Sequence, residues 1–253
     1  FTVVRNLKKF MPEDQATALY GILGGKVDTL TTLPLAINVA FATALVPAIS
    51  AAKARKDKKT ITQKTSFSLL LSMLIGLPCT IGMIIFAQPI LNLLFPNAND
   101  GALILQISSL ATIFTILDQT INGVLQGYGK LMIPTISLGT GVIVKLILNV
   151  TLIPNENIGV YGAAIGSVAC HVVAFIIAFT SLRKYIKLDL TLSKFVVKPI
   201  LATTIMSIIS YFIYFVLSGI IVEKLATIIA ITLAVIIYVI CIAILRIFTK
   251  EEI

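Results

Sequence analysis

Apolar positions in this chain run in long blocks, and charges gather in the gaps between them. Residues 200–221 read ILATTIMSIISYFIYFVLSGII and residues 225–245 read LATIIAITLAVIIYVICIAIL, without an Asp, Glu, Lys, Arg or His in either. A helix rising 1.5 Å per residue needs about 20 residues to cross a hydrocarbon core of about 30 Å. Six such blocks stand out, and a full reading gives seven crossings: 27–49, 67–90, 103–125, 131–153, 160–182, 200–221 and 225–245. The third and fourth each carry a charge, Asp118 and Lys145. The pattern predicts an all-α polytopic membrane helix bundle. Its expected divisions are the end of a helix and an outer polar connection (1–26), five transmembrane helices (27–182), a basic connection (183–195), and two further helices with a tail (196–253). Pro34, Pro47, Pro78 and Pro134 are expected to bend or interrupt their helices, because proline lacks the backbone donor.

Seven alternating crossings sort the basic residues unequally. One side collects Lys53, Arg55, Lys56, Lys58, Lys59, Lys64, Lys130, Arg183, Lys184, Lys187, Lys194, Lys198, Arg246 and Lys250; the other has only Arg5, Lys8, Lys9, Lys26 and Lys224. Basic residues concentrate on the cytoplasmic face. The C-terminus is therefore expected in the cytoplasm, with the loops near 97, 156 and 223 outside. Omitting one crossing would scramble this division.

Composition fits the same picture. Hydrophobic residues make up 58% of the chain and charged residues 12%, against about 25% charged in soluble domains. The net charge of +9 belongs to loops facing anionic lipid, so nucleic acid is not an expected partner. Cys79, Cys170 and Cys241 all fall in apolar stretches without ligand spacing and read as small hydrophobes. The opening FTVVRNLKKF shows no secretory leader pattern and reads as the tail of an earlier membrane helix, so the chain is expected to be a fragment or a processed piece of a larger transporter.

Function must then be sought in polar groups placed inside lipid. Asp118, Asn122 and Gln126 are four residues apart on one helix face, with Gln119 beside it. A carboxylate at that depth needs a proton, a partner or water. The stripe either fastens helices together or lines a substrate or ion path. Lys145, with Asn149 one turn on, either snorkels, pairs with an internal acid or attracts an anionic substrate. A direct Asp118–Lys145 pair must bridge roughly 10 Å of helix depth. Asp28, beside Lys26, reads as an exposed helix-start acid or a cavity group. His171 reads as a hydrogen-bonded neutral imidazole or a proton relay, and a single histidine builds no metal site. Gly139, Gly141, Gly162 and Gly166 permit close helix approach. The sequence lacks the HExxH, GK[ST] phosphate-loop, GxSxG and TVGYG motifs and an arginine series of the voltage-sensing kind, so neither an enzyme nor a channel is expected, and no cofactor.

Four stretches resemble a known superfamily: LYGILGGKVDTLTTLPLAINVAFATALVPAIS (19–50), ILNLLFP (90–96), INGVLQGYGKLMIPTISLG (121–139) and KLILNVTLIPNENIGVYGAAIGS (145–167). In their order and spacing they resemble the multidrug/oligosaccharidyl-lipid/polysaccharide exporters. The resemblance is greatest to the polysaccharide-biosynthesis and stage V sporulation protein B branch, related to lipid II flippases. It implies a bacterial cell-membrane protein with two six-helix lobes around a cavity. This chain would hold the second lobe and two added C-terminal helices, and the missing N-terminal lobe would be its partner. The implied activity is alternating-access flipping of a lipid-linked cell-wall or polysaccharide precursor, such as lipid II, driven by membrane potential or an ion gradient. Cation-coupled multidrug export and a non-transporting scaffold for wall or spore-envelope assembly are the alternatives. Lipid II flippases of this branch commonly carry an Asp-Arg pair before the proline of helix eight. Here Asp28 matches the acid while Thr29 replaces the arginine, so Lys26 or Lys145 would have to supply the positive charge.

Overall fold

The computed structural model describes residues 2–247; Phe1, Lys250 and the rest of the expected tail lie outside the described residues. Ten α-helices follow in chain order: α1 (Thr2–Leu7), α2 (Glu13–Gly21), α3 (Asp28–Ala54), α4 (Lys58–Ile85), α5 (Ala87–Leu94), α6 (Ala102–Gly127), α7 (Met132–Leu152), α8 (Tyr161–Tyr185), α9 (Lys198–Ser218) and α10 (Glu223–Ile244). Seven helical rods are long and apolar enough to cross a membrane, matching the seven predicted crossings. The first is longer than expected. A π-helical stretch, Ile22–Val27, joins α2 to α3, so helix runs continuously from Glu13 to Ala54 where a polar connection was expected up to 26. Gly24 and Gly25 lie within that stretch, where helix geometry is least constrained by side chains.

Three of the four prolines sit inside helices that they do not interrupt. α3 continues through Pro34 and Pro47, and α4 through Pro78. Pro134 sits in the first turn of α7, where its missing donor leaves no intrahelical bond unmade. The break falls instead at Phe86, inside the expected crossing 67–90. Pro89 explains it: a proline ring clashes with the carbonyl four residues back, here Ile85, the last residue of α4. Gln106 then satisfies the adjacent Ile84 carbonyl through Nε2 at 3.0 Å. The long basic loop expected after the first crossing shrinks to residues 55–57. Asp57 caps α4, accepting from the Thr60 backbone at 3.0 Å and from the Thr60 hydroxyl at 2.6 Å.

Packing runs in a chain of neighbours: α3 on α6, α6 on α8, α8 on α7, with α4 against α3 and α6. Small residues make it possible. A Cβ at Gly123 would overlap the Ala42 carbonyl oxygen, and one at Gly127 would lie 2.6 Å from the Val46 carbonyl oxygen. These two glycines, spaced i and i+4, were not among the predicted contact sites. Of the predicted four, Gly141, Gly162 and Gly166 lie at close approaches within the α7–α8 unit, whereas Gly139 faces open space. α9 and α10 pair with each other and dock on α4 through a separate apolar cluster including Leu70, Leu74, Ala202, Met206 and Tyr238.

The two ends of the bundle differ. At one, Lys53 donates to the Tyr128 carbonyl at 2.6 Å and lies 4.6 Å from the centre of its ring, and Lys130 lies 4.5 Å from the Tyr185 ring. The ends of α3, α6 and α8 thus meet where the sequence collects its basic residues. At the other end Glu223 accepts from Asn92 at 2.9 Å and from Tyr214 at 3.1 Å, joining α5, α9 and α10.

Candidate functional site

Two polar assemblies sit within the helical bundle. The first is closed. Asn38, 1% exposed on α3, donates through Nδ2 to the Ile116 carbonyl at 3.0 Å, to Gln119 Oε1 at 3.2 Å and to Thr120 Oγ1 at 3.2 Å. Ser72 of α4 donates to Asn38 Oδ1 at 3.0 Å and lies 2.6 Å from the Thr120 hydroxyl. Each buried group finds a partner, so this assembly fastens α3, α4 and α6. Gln119, a candidate for the path, belongs to it. Asn38, Ser72 and Thr120 were not singled out from the sequence. An amide within an apolar crossing was the available signal, but its partners lie 34 to 82 residues away.

The second assembly is open. Asp118 of α6 is buried; its Oδ2 accepts from Asn122 Nδ2 at 2.9 Å, while its Oδ1 has no hydrogen-bond partner. Asn122 Oδ1 is likewise unpartnered. Asn122, Gln119 and the exposed Gln126 line a concavity of about 220 Å³ against Val39, Thr43 and Val46 of α3. Asp118, Asn122 and Gln126 therefore share a face as predicted, and Gln126 lies towards its basic end.

Lys145 of α7 is half-buried and lies over α8: a Cβ at Gly166 would sit 3.5 Å from Lys145 Cγ and 2.6 Å from Asn149 Oδ1. Asn149 is buried with that Oδ1 unpartnered, and its carbonyl receives Asn6 Nδ2 at 3.4 Å. One turn before Lys145 on α7, Gly141 packs on Cys170 of α8: an added Cβ would lie 3.1 Å from Cys170 Sγ. Neither Lys145–Asp118 nor Lys145–Asp28 forms an ion pair within 4.0 Å. His171 Nδ1 is buried without a partner, where a hydrogen-bonded ring was one expectation.

Asp28 is surface-exposed within the continuous Glu13–Ala54 rod, so it does not start a free helix end. Lys26 is drawn elsewhere. It donates to the Ala98 carbonyl and lies 5.6 Å from the Phe95 ring. Neither of the two cations considered for the missing arginine partner forms an ion pair with Asp28. All three cysteines are free; Cys170 and Cys241 are buried and Cys79 is half-buried. Among the described residues, no cluster of three or more His, Cys, Asp or Glu is placed to hold a metal.

Seven apolar rods and a line of charged and amide groups between them define an all-α, multi-pass membrane bundle. The family model described as lipid II flippase MurJ matches residues 27–235, and the chain belongs to that family. Curated relatives from Bacillus subtilis (strain 168) include the uncharacterized membrane protein YabM, 35% identical over 62% of this chain and 29% of its own length. Stage V sporulation protein B is 24% identical over 71% of this chain and 35% of its own. Lipid II flippase MurJ is 25% identical over 62% and 30% respectively. The matches thus span about a third of these relatives. Two solved structures share the fold: a lipid II flippase MurJ in an inward closed conformation (TM-score 0.62, 16% identity, 86% of this chain and 47% of that one) and an outward-facing multidrug resistance MATE transporter of the MOP superfamily (TM-score 0.60, 18% identity, 95% and 57%). The chain is a multi-pass membrane protein of bacterial kind.

Proposed function

We propose that this chain forms the second lobe of a flippase, which carries a diphosphate-linked cell-envelope glycolipid such as lipid II from the inner to the outer leaflet by alternating access. The observation that carries the reading is Lys145. It is half-buried within α7, packed over Gly166 of α8 with Asn149 one turn on, and without an ion-pair partner within 4.0 Å. A diphosphate cannot enter hydrocarbon without replacing its hydration. An ammonium held beside amides offers that replacement, and the lipid tail can stay in the bilayer. No bond is made or broken, so no catalytic residue is required. Asp118 and His171 would couple rearrangement to membrane potential or an ion gradient.

The spans 27–182 would supply the lobe and 196–253 the added pair, with an N-terminal lobe completing the cavity. Clustering of Lys53, Lys130 and their tyrosine partners supports a cytoplasmic basic end. The test is flipping of fluorescent lipid II by the intact protein in proteoliposomes, comparing Lys145→Ala and Asp118→Ala at equal reconstitution. Loss in Lys145→Ala supports the reading; retained rates in both variants remove it.

Cation export is a second reading, favoured by one observation: Asp118 keeps a buried, unpartnered carboxylate oxygen. It predicts that a cationic dye moves and that Asp118→Asn stops it while Lys145→Ala does not. A scaffold would move neither substrate.

A further inference from the structure

The slot of about 220 Å³ between α3 and α6 is lined by no charged side chain. Its polar lining from α6 is three carboxamides: Gln119, Asn122 and Gln126. Gln119 and Gln126 stand two helical turns apart, about 10 Å along the axis. Between them Gly123 lies against the Ala42 backbone, so the slot has main chain for a floor. Val39 and Val46 of α3 supply an apolar side, and Val39 is 43% exposed, so the slot is open at the surface of the bundle.

Bonds already made within the protein decide what remains for a ligand. Gln119 Oε1 accepts from Asn38, which leaves its Nε2 as a donor. Asn122 Nδ2 donates to Asp118, which leaves the unpartnered Oδ1 as an acceptor. The Thr43 hydroxyl proton goes to the Val39 and Ala40 carbonyls, so that oxygen only accepts. Gln126 is exposed, and its side chain makes no hydrogen bond to another described residue, so it both donates and accepts. A phosphate would take the two glutamine donors but turn its lone pairs on Asn122 Oδ1. An ammonium would take the acceptors but face Gln119 Nε2. A neutral group that carries both a donor and an acceptor satisfies the set, and a methyl attached to it fits the valine side.

We propose that this slot is a sugar subsite, which selects an N-acetylated hexose in the headgroup of the transported lipid. The acetamido N–H donates to Asn122 Oδ1, its carbonyl accepts from Gln126, and its methyl lies on Val39 and Val46. Gln119 Nε2 donates to a ring hydroxyl. The inference rests on the glycolipid-flippase reading above. It does not rest on Lys145, whose charge is matched to the diphosphate and not to the sugar.

The experiment offers the intact protein, in proteoliposomes, two fluorescent polyprenyl diphosphates with the same tail. One bears N-acetylglucosamine and the other glucose. The parent is expected to flip the acetylated lipid at least about tenfold faster. Gln126→Leu removes the donor, and Gln126→Glu keeps the shape but only accepts; each is expected to bring the ratio of rates within about twofold. Circular dichroism at equal reconstitution checks that both variants keep their helices, as an exposed position allows. Equal rates for the two lipids in the parent would overturn the subsite and leave the flippase reading standing. A preference kept in both variants would place recognition elsewhere and overturn it too. Failure to flip either lipid would remove the flippase reading itself, and the subsite with it.

Discussion

A methyl group at Gly123 of α6 would overlap the carbonyl oxygen of Ala42 on α3, so the two backbones touch there with no side chain between them. Gly127 repeats the contact one turn on, against Val46. Overpacking a tight contact costs about 1–3 kcal/mol. Gly123→Ala and Gly127→Ala should each destabilise by that order, whereas Gly139→Ala, with nothing within 4 Å of the new Cβ, should be neutral or slightly stabilising. Reversible unfolding in detergent, followed by circular dichroism, ranks the three.

Asn38 ties three helices through one amide. Asn38→Leu strands the Ser72 and Thr120 hydroxyls only partly, since they remain 2.6 Å from each other. Asn38→Ala also opens a void. Buried hydrogen bonds between membrane helices average about 0.6 kcal/mol and reach about 1.7. We expect a loss of about 1–2 kcal/mol for Leu and more for Ala. A double-mutant cycle with Thr120→Val should show coupling; strict additivity would dissolve the network.

Lys26 and Lys145 are the two cations weighed for Asp28, and Lys26 is already engaged at the loop after α5. Flipping by the intact protein should fall at least tenfold in Lys145→Ala (about 1.4 kcal/mol or more of barrier). Lys26→Ala should stay within about twofold, because its ammonium is occupied by the Ala98 carbonyl and the Phe95 ring. Reversed effects would move the cationic contribution to the loop after α5.

Asp57 lies outside the membrane spans. Hydrogen bonds from the Thr60 hydroxyl and backbone hold its carboxyl below the usual 3.8. A depressed acid stabilises the fold above its unfolded value, and that contribution disappears as pH falls through the folded value. The parent should therefore lose its advantage over Asp57→Ala only on acidification below 3.8. Near neutral pH the variant should melt about 2–4 °C lower. A gap between the two melting curves that is unchanged from neutral to strongly acid pH would exclude the capping carboxylate as its source.

The orientation can be checked directly. With native cysteines replaced by serine, a cysteine at Asn155 should react with an impermeant maleimide in intact cells. One at Lys56 should react only after lysis. The opposite pattern would invert the bundle.

Much of the architecture was legible along the chain. Seven helices could be counted because acyl chains solvate charge poorly, so each crossing appears as a long, mainly apolar run, even the two that carry Asp118 and Lys145. Boundaries were less legible. The 13–27 region reads as polar, yet it is helical because a helix satisfies its own backbone wherever it lies. Proline signalled a break in the second crossing, but Pro78 is accommodated and the break belongs to Pro89 with Ile85.

Among the site residues, Asp118, Asn122 and Gln126 were grouped correctly because one helix fixes their spacing. Asn38, Ser72 and Thr120 could not be grouped, since three separate helices bring them together. Nor could sequence choose between Lys26 and Lys145 as the cation to serve Asp28. Packing draws Lys26 to the Ala98 carbonyl in the turn after α5.

By itself the sequence determined that this protein is a seven-span, all-helical membrane bundle, crowded with basic residues at one end and carrying a few costly polar groups. Lipid imposes those features on each segment separately, so each segment records them. Which polar groups close upon one another and which stay open was decided only by the tertiary packing. Glycine contacts set helix spacing to fractions of an ångström, and the reach of a side chain across that spacing determines whether it finds a partner.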